Sequence, residues 1–440
     1  MTVVQKDRFI KNETPFGDLP EGWESTSLKT VATLKKGKKP YKVDKTTWPG
    51  AVPYIDIEAF EKGNIRRYAD QESSALVNEG DIIVVWDGAR CGHVGKTPER
   101  GALGSTLGTI QPILIHPDYI LRFLQLSYES INTNPRGIGI PHVEPELFWN
   151  LEIPLAPLAE QKRIVAKVEE LLTRVNATKE RLAKVSMILK RFRQAVLATT
   201  CSGRLTEAWR EARGDTNRNK WVTVDFFDFC VLQRGYDLPI AKRDDGPFPI
   251  VTSGGIIAYH AQHKMSGPGV LVGRSGSIGK VFYVEDDFWP HNTTLFVKDF
   301  KGNVPKYVYY FLLGFDFQQF SASTAVPTLN RNNLRDTTVE VPPVEEQHEI
   351  VRQVEAMFKL ADAVKKRVAA AKVRSDKLTQ AILAKAFRGE LVPTEAELAR
   401  RERRPYEPAS DLLARIKSDK EMNEISVKLH HKLDHKKRSK

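Results

Sequence analysis

The sequence predicts an α+β chain in which two mixed α/β globules are separated by two long antiparallel coiled-coil helices, the whole repeated about an internal pseudo-two-fold. Three observations predict it: one long segment occurs twice, both copies carry a heptad apolar seam, and short β-type runs broken by Gly, Pro and Asp precede each copy.

Residues 157–205 (PLAEQKRIVAKVEELL through QAVLATTCSGRL) align without a gap onto 343–391 (PVEEQHEIVRQVEAMF through QAILAKAFRGEL), at a constant shift of 186. Glu160/Glu346, Gln161/Gln347, Ile164/Ile350, Val165/Val351, Gln194/Gln380, Gly203/Gly389 and Leu205/Leu391 are identical pairs. In the first copy Ile164, Val168, Leu171, Val175, Thr178, Leu182, Val185, Leu189, Phe192 and Val196 are spaced alternately four and three apart. The second copy keeps the seam at Ile350, Val354, Met357, Ala361, Val364, Val368, Ala371, Ser375, Leu378 and Ile382. Each stripe needs an apolar partner, and one chain holding two can bury both by pairing them. Pro154 and Pro157, or Pro342 and Pro343, stand just before each helix, and Gly203 or Gly389 just after it as a stop.

Ahead of the helices the two halves match weakly. Trp23 answers Trp221, Gly37 answers Gly235, Tyr119 answers Tyr307 and Pro141 answers Pro327, and each half has β-type runs such as DIIVVW (81–86) and GVLVG (269–273). The predicted division is an N-terminal extension (1–17), a first globule (18–152), a central helix region (153–210), a second globule (211–338), a second helix region (339–395) and a basic extension (396–440) whose end is expected to be disordered. Conserving the helices while the globules diverge is the pattern of one scaffold carrying two different readers.

Composition narrows the function class. Lys and Arg number 67 against 55 Asp and Glu, leaving +12 on 440 residues, which favours a polyanionic partner. The start lacks the apolar core of a signal peptide and no run of about 18 apolar residues occurs, so a cytoplasmic protein without a membrane partner is expected. Cys91, Cys201 and Cys230 are widely spaced, which excludes a disulfide framework and reads as buried small hydrophobes.

The order globule, P-x-x-E-Q-x-x-I-V helix, Gly-x-Leu, globule, helix resembles the DNA-specificity subunits of type I restriction-modification enzymes over about residues 18–395. LPEGW (19–23), PLAEQKRIV (157–165), LKRFRQAVL (189–197), PPVEEQHEIV (342–351) and LTQAILAKAFRGEL (378–391) carry the resemblance. It implies that the globules are target recognition domains, each reading half of an asymmetric bipartite double-stranded DNA site, with the helices as spacer. It implies as partners two modification (methyltransferase) subunits and two restriction (motor-endonuclease) subunits, which would use S-adenosylmethionine, ATP and magnesium. The outward apolar residues of the helices would dock the modification subunits.

The chain itself offers no catalytic residue and no cofactor or metal site. GHVGKT (92–97) looks like the end of a phosphate-binding loop, but Arg90 stands where the first Gly is needed. The second half repeats the pattern with Arg274 before Gly279 and Lys280, and Val281 replaces the magnesium-holding hydroxyl. Both read as glycine-rich hairpins, solvated or DNA-facing, with Arg90, Lys96, Arg274 and Lys280 as contacts. No Asn-Pro-Pro-Tyr or Asp-Pro-Pro-Tyr motif is present, so methyl transfer belongs to a partner. His260 and His263 lack a third ligand and read as surface histidines, and His142 as loop polarity. Further candidate DNA contacts are Lys35, Lys36, Lys38 and Lys39 with Tyr41 around Gly37, then Gln233, Arg234 and Tyr236 at the equivalent turn, and Asn330, Arg331 and Asn332 before the second helix. Two rival readings are a stand-alone two-domain DNA-binding regulator and a coiled-coil interaction protein indifferent to nucleic acid.

Overall fold

The computed structural model describes residues 16–137, 139–214, 220–320 and 328–438. Pro327, the side chain of Cys201 and the first fifteen residues lie outside what is described. The chain divides into two compact units, one formed by the chain up to Lys179 together with Val373–Lys440, the other by Glu180–Lys372.

In the first unit, β1 (Ala32–Lys36), β2 (Ile82–Val85), β3 (Val94–Lys96) and β4 (Leu107–Pro112) form an antiparallel sheet in the order β1-β4-β2-β3. β2 reads IIVV without alternation because both its faces are covered. Ile82 and Val84 enter the main core with Tyr119, Ile120, Phe123 and Leu124 of α1 (Pro117–Thr133), whereas Ile83 and Val85 enter a second core with Ile55, Phe60 and Leu103. A five-stranded sheet built on Ala51–Ile55 and Gly101–Leu103 supplies part of that second core.

The second unit repeats the plan. β5 (Val231–Arg234), β6 (Gly269–Gly273), β7 (Val281–Val284) and β8 (Thr294–Asp299) follow the same order, β5-β8-β6-β7. Val270 and Val272 of β6 face the main core with α3 (Pro305–Gly314), while Leu271 faces a separate cluster with Val251, Phe288 and Phe296. The weak sequence echoes between the globules therefore mark one topology used twice.

The two long helices are α2 (Leu158–Ser202, 45 residues) and α4 (Val344–Phe387, 44 residues), within a residue or two of the boundaries read from Pro157, Pro343, Gly203 and Gly389. Gly203 and Gly389 both adopt positive φ, at 68° and 71°, the left-handed geometry that ends a helix and that glycine adopts freely. The partition into units cuts across the linear one drawn from the sequence, because each unit takes part of each helix. In the first unit Ile164, Val165, Val168, Leu172 and Val175 of α2 share a core with Ile382, Leu383, Ala386 and Phe387 of α4. In the second, Val196 and Leu197 of α2 share one with Ile350, Val351 and Val354 of α4. Within each unit the start of one helix thus packs with the end of the other, the polarity an antiparallel pair requires.

Most of the predicted seam is buried or half-buried: Ile164, Val168, Leu171, Val175, Leu182, Val185, Leu189 and Val196 on α2, and Ile350, Val354, Met357, Val364, Val368 and Ile382 on α4. Thr178 is exposed, which corrects its place in the seam. Phe192 and Leu378 are corrections too, being 37% and 50% exposed. They are equivalent positions of the repeat, and at both the next residue takes the inward place. Arg193 binds Asp362 at 2.6 Å and lies 4.7 Å over the Phe358 ring, while Thr379 meets the Lys179 ammonium at 3.4 Å. A helix of 3.6 residues per turn drifts by about 20° per heptad from a 3.5 repeat, which moves a strict heptad position outward over such a length.

One buried pair joins each globule to its helix. Glu160 accepts from the Trp23 indole at 3.0 Å and from the Glu395 backbone N–H at 2.8 Å, and Gln161 accepts from the His116 N–H that opens α1. Glu346 accepts from the Trp221 indole at 2.9 Å, from Thr206 and from the buried Arg210 at 2.5 Å, and Gln347 accepts from the Val304 N–H that opens α3. The repeated Glu-Gln is a joint, which is why it stands among the identical pairs.

Beyond α4, the sequence predicts a disordered end. The backbone instead forms α5 (Glu395–Glu402), opened by a Thr394/Glu397 capping box, and α6 (Ala409–Arg438), whose first turns bury Ala409, Leu412 and Ile416 in the first core. That apolar spacing of three and four is the signal the charge count hid. His260 is likewise a correction: it is 3% exposed, hydrogen-bonded to the Asp244 backbone, because its strand turns it inward beside Trp289.

Candidate nucleic-acid interface

In each unit, four segments meet at one end of the four-stranded sheet, held by backbone hydrogen bonds that correspond one to one. In the first unit Gly37 N–H donates to Leu107 O (2.9 Å), Trp86 and Asp87 N–H both donate to Thr106 O (2.9 and 3.2 Å), and Val143 N–H donates to Trp86 O (2.9 Å). In the second, Gly235 N–H donates to Thr294 O (3.0 Å), Arg274 and Ser275 N–H to Thr293 O (2.9 and 3.3 Å), and Leu329 N–H to Arg274 O (2.8 Å). The edge therefore comprises the Gly37 or Gly235 turn, the β2–β3 or β6–β7 hairpin loop, the turn at Gly104–Thr106 or His291–Thr293, and the strand stub at His142–Glu144 or Thr328–Asn330.

Gly37 and Gly235 are required here by close approach. A Cβ at Gly37 would stand 2.1 Å from the Gly104 carbonyl oxygen, and one at Gly235 would stand 2.2 Å from that of His291. The matching residues one turn away were legible as a repeat for that reason.

The edges carry different side chains on this common frame. In the first unit Asp87 accepts from the His142 ring at 2.8 Å and pairs with Lys36 at 3.4 Å, with Lys35, Lys38 and Lys39 exposed alongside. Arg90 lies in the hairpin loop but pairs with Glu61 at 2.6 Å. In the second unit Asp237 receives Asn292 and faces Arg234 at 3.8 Å, and the Gln233 amide reaches the Tyr236 hydroxyl at 3.3 Å. Lys280 donates to the Gly254 carbonyl at 3.4 Å, joining a neighbouring hairpin to the edge. Burial first, and Arg243 second, push the His291 ring below the ordinary histidine value, so it stays neutral at pH 7 and offers one donor and one acceptor.

Two sequence readings change, those of Lys96 and of the Arg90/Arg274 match. Lys96 sits at the far end of β3, opposite Ile82 and paired with Asp118 at 2.6 Å, away from the edge. Arg90 and Arg274 are not equivalent: Gly92 N–H donates to Val85 O as Gly279 N–H donates to Gly273 O, so Gly92 matches Gly279 and Arg274 matches Trp86. The first loop is one residue longer, and Gly95 and Lys96 lie three residues or more past Gly92, so the shared R-x4-G-K spacing is a coincidence. Arg331 is exposed, with one guanidinium nitrogen donating to the Leu232 carbonyl at 3.1 Å. Asn330 caps the short helix Arg331–Leu334 by accepting from the Asn332 N–H, and both Asn330 and Asn332 are exposed. Sequence reasoning missed Asp87, His142, Asp237, Asn292 and Thr293, whose turn-forming types between β runs were the available signal.

Among the described residues, no helix is long and apolar enough to cross a membrane. Cys91 and Cys230 are buried. Burial pushes both thiols up.

Comparison with known proteins agrees with this repeated architecture. The family described as the type I restriction modification DNA specificity domain matches residues 20–187 and 218–371, once in each half. The type I restriction enzyme EcoBI specificity subunit of Escherichia coli is 30% identical, over 88% of this chain and 90% of that protein. The EcoKI specificity subunit of Escherichia coli K12 is 29% identical over 85% and 90%. Among solved structures, a chain from work on complex assembly and conformational transition of the type I R-M system matches with TM-score 0.67 at 21% identity, covering 85% of this chain and all of that one. The HsdS subunit of Thermoanaerobacter tengcongensis matches with TM-score 0.53 at 21% identity, over 87% and 100%. With both halves matched to the same domain and a relative covered almost end to end, the chain belongs to the DNA-specificity subunits of type I restriction-modification systems.

Proposed function

We propose that this chain reads an asymmetric bipartite double-stranded DNA sequence, one half-site per unit, and holds two modification and two restriction subunits there, without catalysis of its own. The observation that carries the reading is the pair of edges: one backbone frame, used twice, presenting Lys36, Asp87 and His142 in one unit and, at the equivalent places, Arg234, Ser275 and Thr328 in the other. Different donors and acceptors on equivalent frames suit two unlike half-sites, whereas a palindrome would need matching ones. The paired helices would act as a ruler that sets the number of unread base pairs between them.

Docking of partner subunits has its own support. Met187 and Phe192 on α2, in the second unit, are 55% and 37% exposed; their repeat equivalents Val373 and Leu378 on α4, in the first, are 55% and 50% exposed. One such apolar pair per unit suits two copies of one partner. The partners would use S-adenosylmethionine, ATP and magnesium, and the site of action would be the cytoplasm. Co-expression with the cognate modification subunit, followed by genome-wide mapping of N6-methyladenine, tests the reading: methylation at one two-part motif is the expected result. Methylation at a palindromic motif, or activity from this chain alone, would sink it.

A further inference from the structure

The two most exposed large apolar side chains of the described residues, Tyr41 at 96% and Ile240 at 79%, occupy corresponding places. Each follows the close-packed glycine of its reading edge, four residues after Gly37 and five after Gly235. Neither stands on slack chain. Pro40 is buried, Tyr41 N–H donates to the Ser73 hydroxyl at 2.9 Å, and Lys42 N–H donates to Asp70 at 2.8 Å. The Lys42 ammonium lies 4.2 Å over the Trp48 ring. In the second unit Leu238 is buried, Ile240 opens a short helical turn (Ile240–Lys242), and the Arg243 guanidinium returns to the Leu238 carbonyl at 3.2 Å.

The first loop is basic: Lys38, Lys39, Lys42 and Lys45 flank Tyr41 against Asp44 alone. The second is mixed, with Lys242 and Arg243 beside Ile240 and Asp237, Asp244 and Asp245 on either side of them. A braced apolar side chain held in water among cations, next to an edge that faces nucleic acid, suits a wedge. Cations of this kind neutralise phosphates, and apolar side chains inserted between base steps unstack them.

We propose that Tyr41 and Ile240 are DNA wedges, one per half-site, each pressed against or into a base step beside the bases its edge reads. The proposal rests on the specificity-subunit reading and adds to it a sensitivity to how easily a step unstacks, which favours pyrimidine–purine steps without any hydrogen bond to them.

The test uses the full chain in complex with its modification subunits and duplexes carrying 2-aminopurine walked through both half-sites and their flanks, the methylated adenines excepted. Fluorescence should rise several-fold at one step per half-site. Tyr41→Ala should abolish the rise at the first alone and Ile240→Ala at the second alone, each with a loss of affinity on the order of tenfold, while Tyr41→Phe keeps it. Both side chains are exposed, so an unchanged melting temperature separates loss of the wedge from loss of the fold. Salt-dependent, sequence-specific binding with every fluorescence change intact in the alanine variants would overturn the wedge and leave the specificity reading standing. Absence of specific binding by the unmodified complex would overturn both.

Discussion

At the scale of single residues, the joint between globule and helix is where chemistry is least forgiving. Glu346 and Arg210 are a buried ion pair, 2.5 Å apart and almost without solvent. Arg210→Met leaves the carboxylate uncompensated and should cost about 3–5 kcal/mol, measured by denaturant unfolding of the second unit. Among the described residues, Glu160 meets no such cation directly. Burial holds its carboxyl above the ordinary value of 4.5, against the pull of the Glu395 N–H, the Trp23 indole and Arg163. The native state therefore keeps a proton that the unfolded chain has released, so this group's contribution is full below 4.5 and is lost as pH climbs through the raised value. Glu160→Gln should flatten the dependence of melting temperature on pH across that window; an unaltered slope would show that Glu160 does not titrate there. The Glu-Gln pairs were visible in the sequence as identities, but their role was not, since their partners lie 137 and 125 residues away at Trp23 and Trp221.

At the scale of elements, the long helices were legible because their signals are local: prolines before, a heptad stripe within, a left-handed glycine after. The two sheet edges were only half legible. Glycines 37 and 235 recur because backbone approach demands them, yet the Asp87–His142 contact joins residues 55 apart, and the accidental R-x4-G-K spacing set Gly95, three residues on, in the place that Gly92 holds opposite Gly279. The outward apolar pairs on α2 and α4 belong to this scale too. Met187→Glu with Phe192→Glu should leave stability unchanged within about 0.5 kcal/mol, as exposed substitutions do. Co-purification of one of the two modification subunits should be lost, read as a change in stoichiometry by native mass spectrometry. Retention of both copies would rule out this surface as the dock.

For the whole molecule, the spacing idea makes a geometric demand. Inserting seven residues into each long helix at equivalent positions adds about 10 Å of rise, or roughly three base pairs at 3.4 Å each. The methylated motif should keep both half-sites and gain unread positions between them, as sequencing of modified genomes would display; an unchanged gap would dismiss the ruler. A different consequence follows from how the units are assembled from the chain. The second is one continuous stretch, Glu180–Lys372, whereas the first closes only when Val373–Lys440 joins it, with Ala409 N–H bonded to Gly22 O at 2.9 Å and Phe387 packed 4.8 Å from Tyr119. Synthesis on the ribosome runs from the N-terminus, so the lobe made first must wait for the residues made last. Released chains truncated near residue 380 should show a protease-resistant later lobe beside an earlier one that is still readily cut, an inversion of the usual order in which domains mature as they emerge.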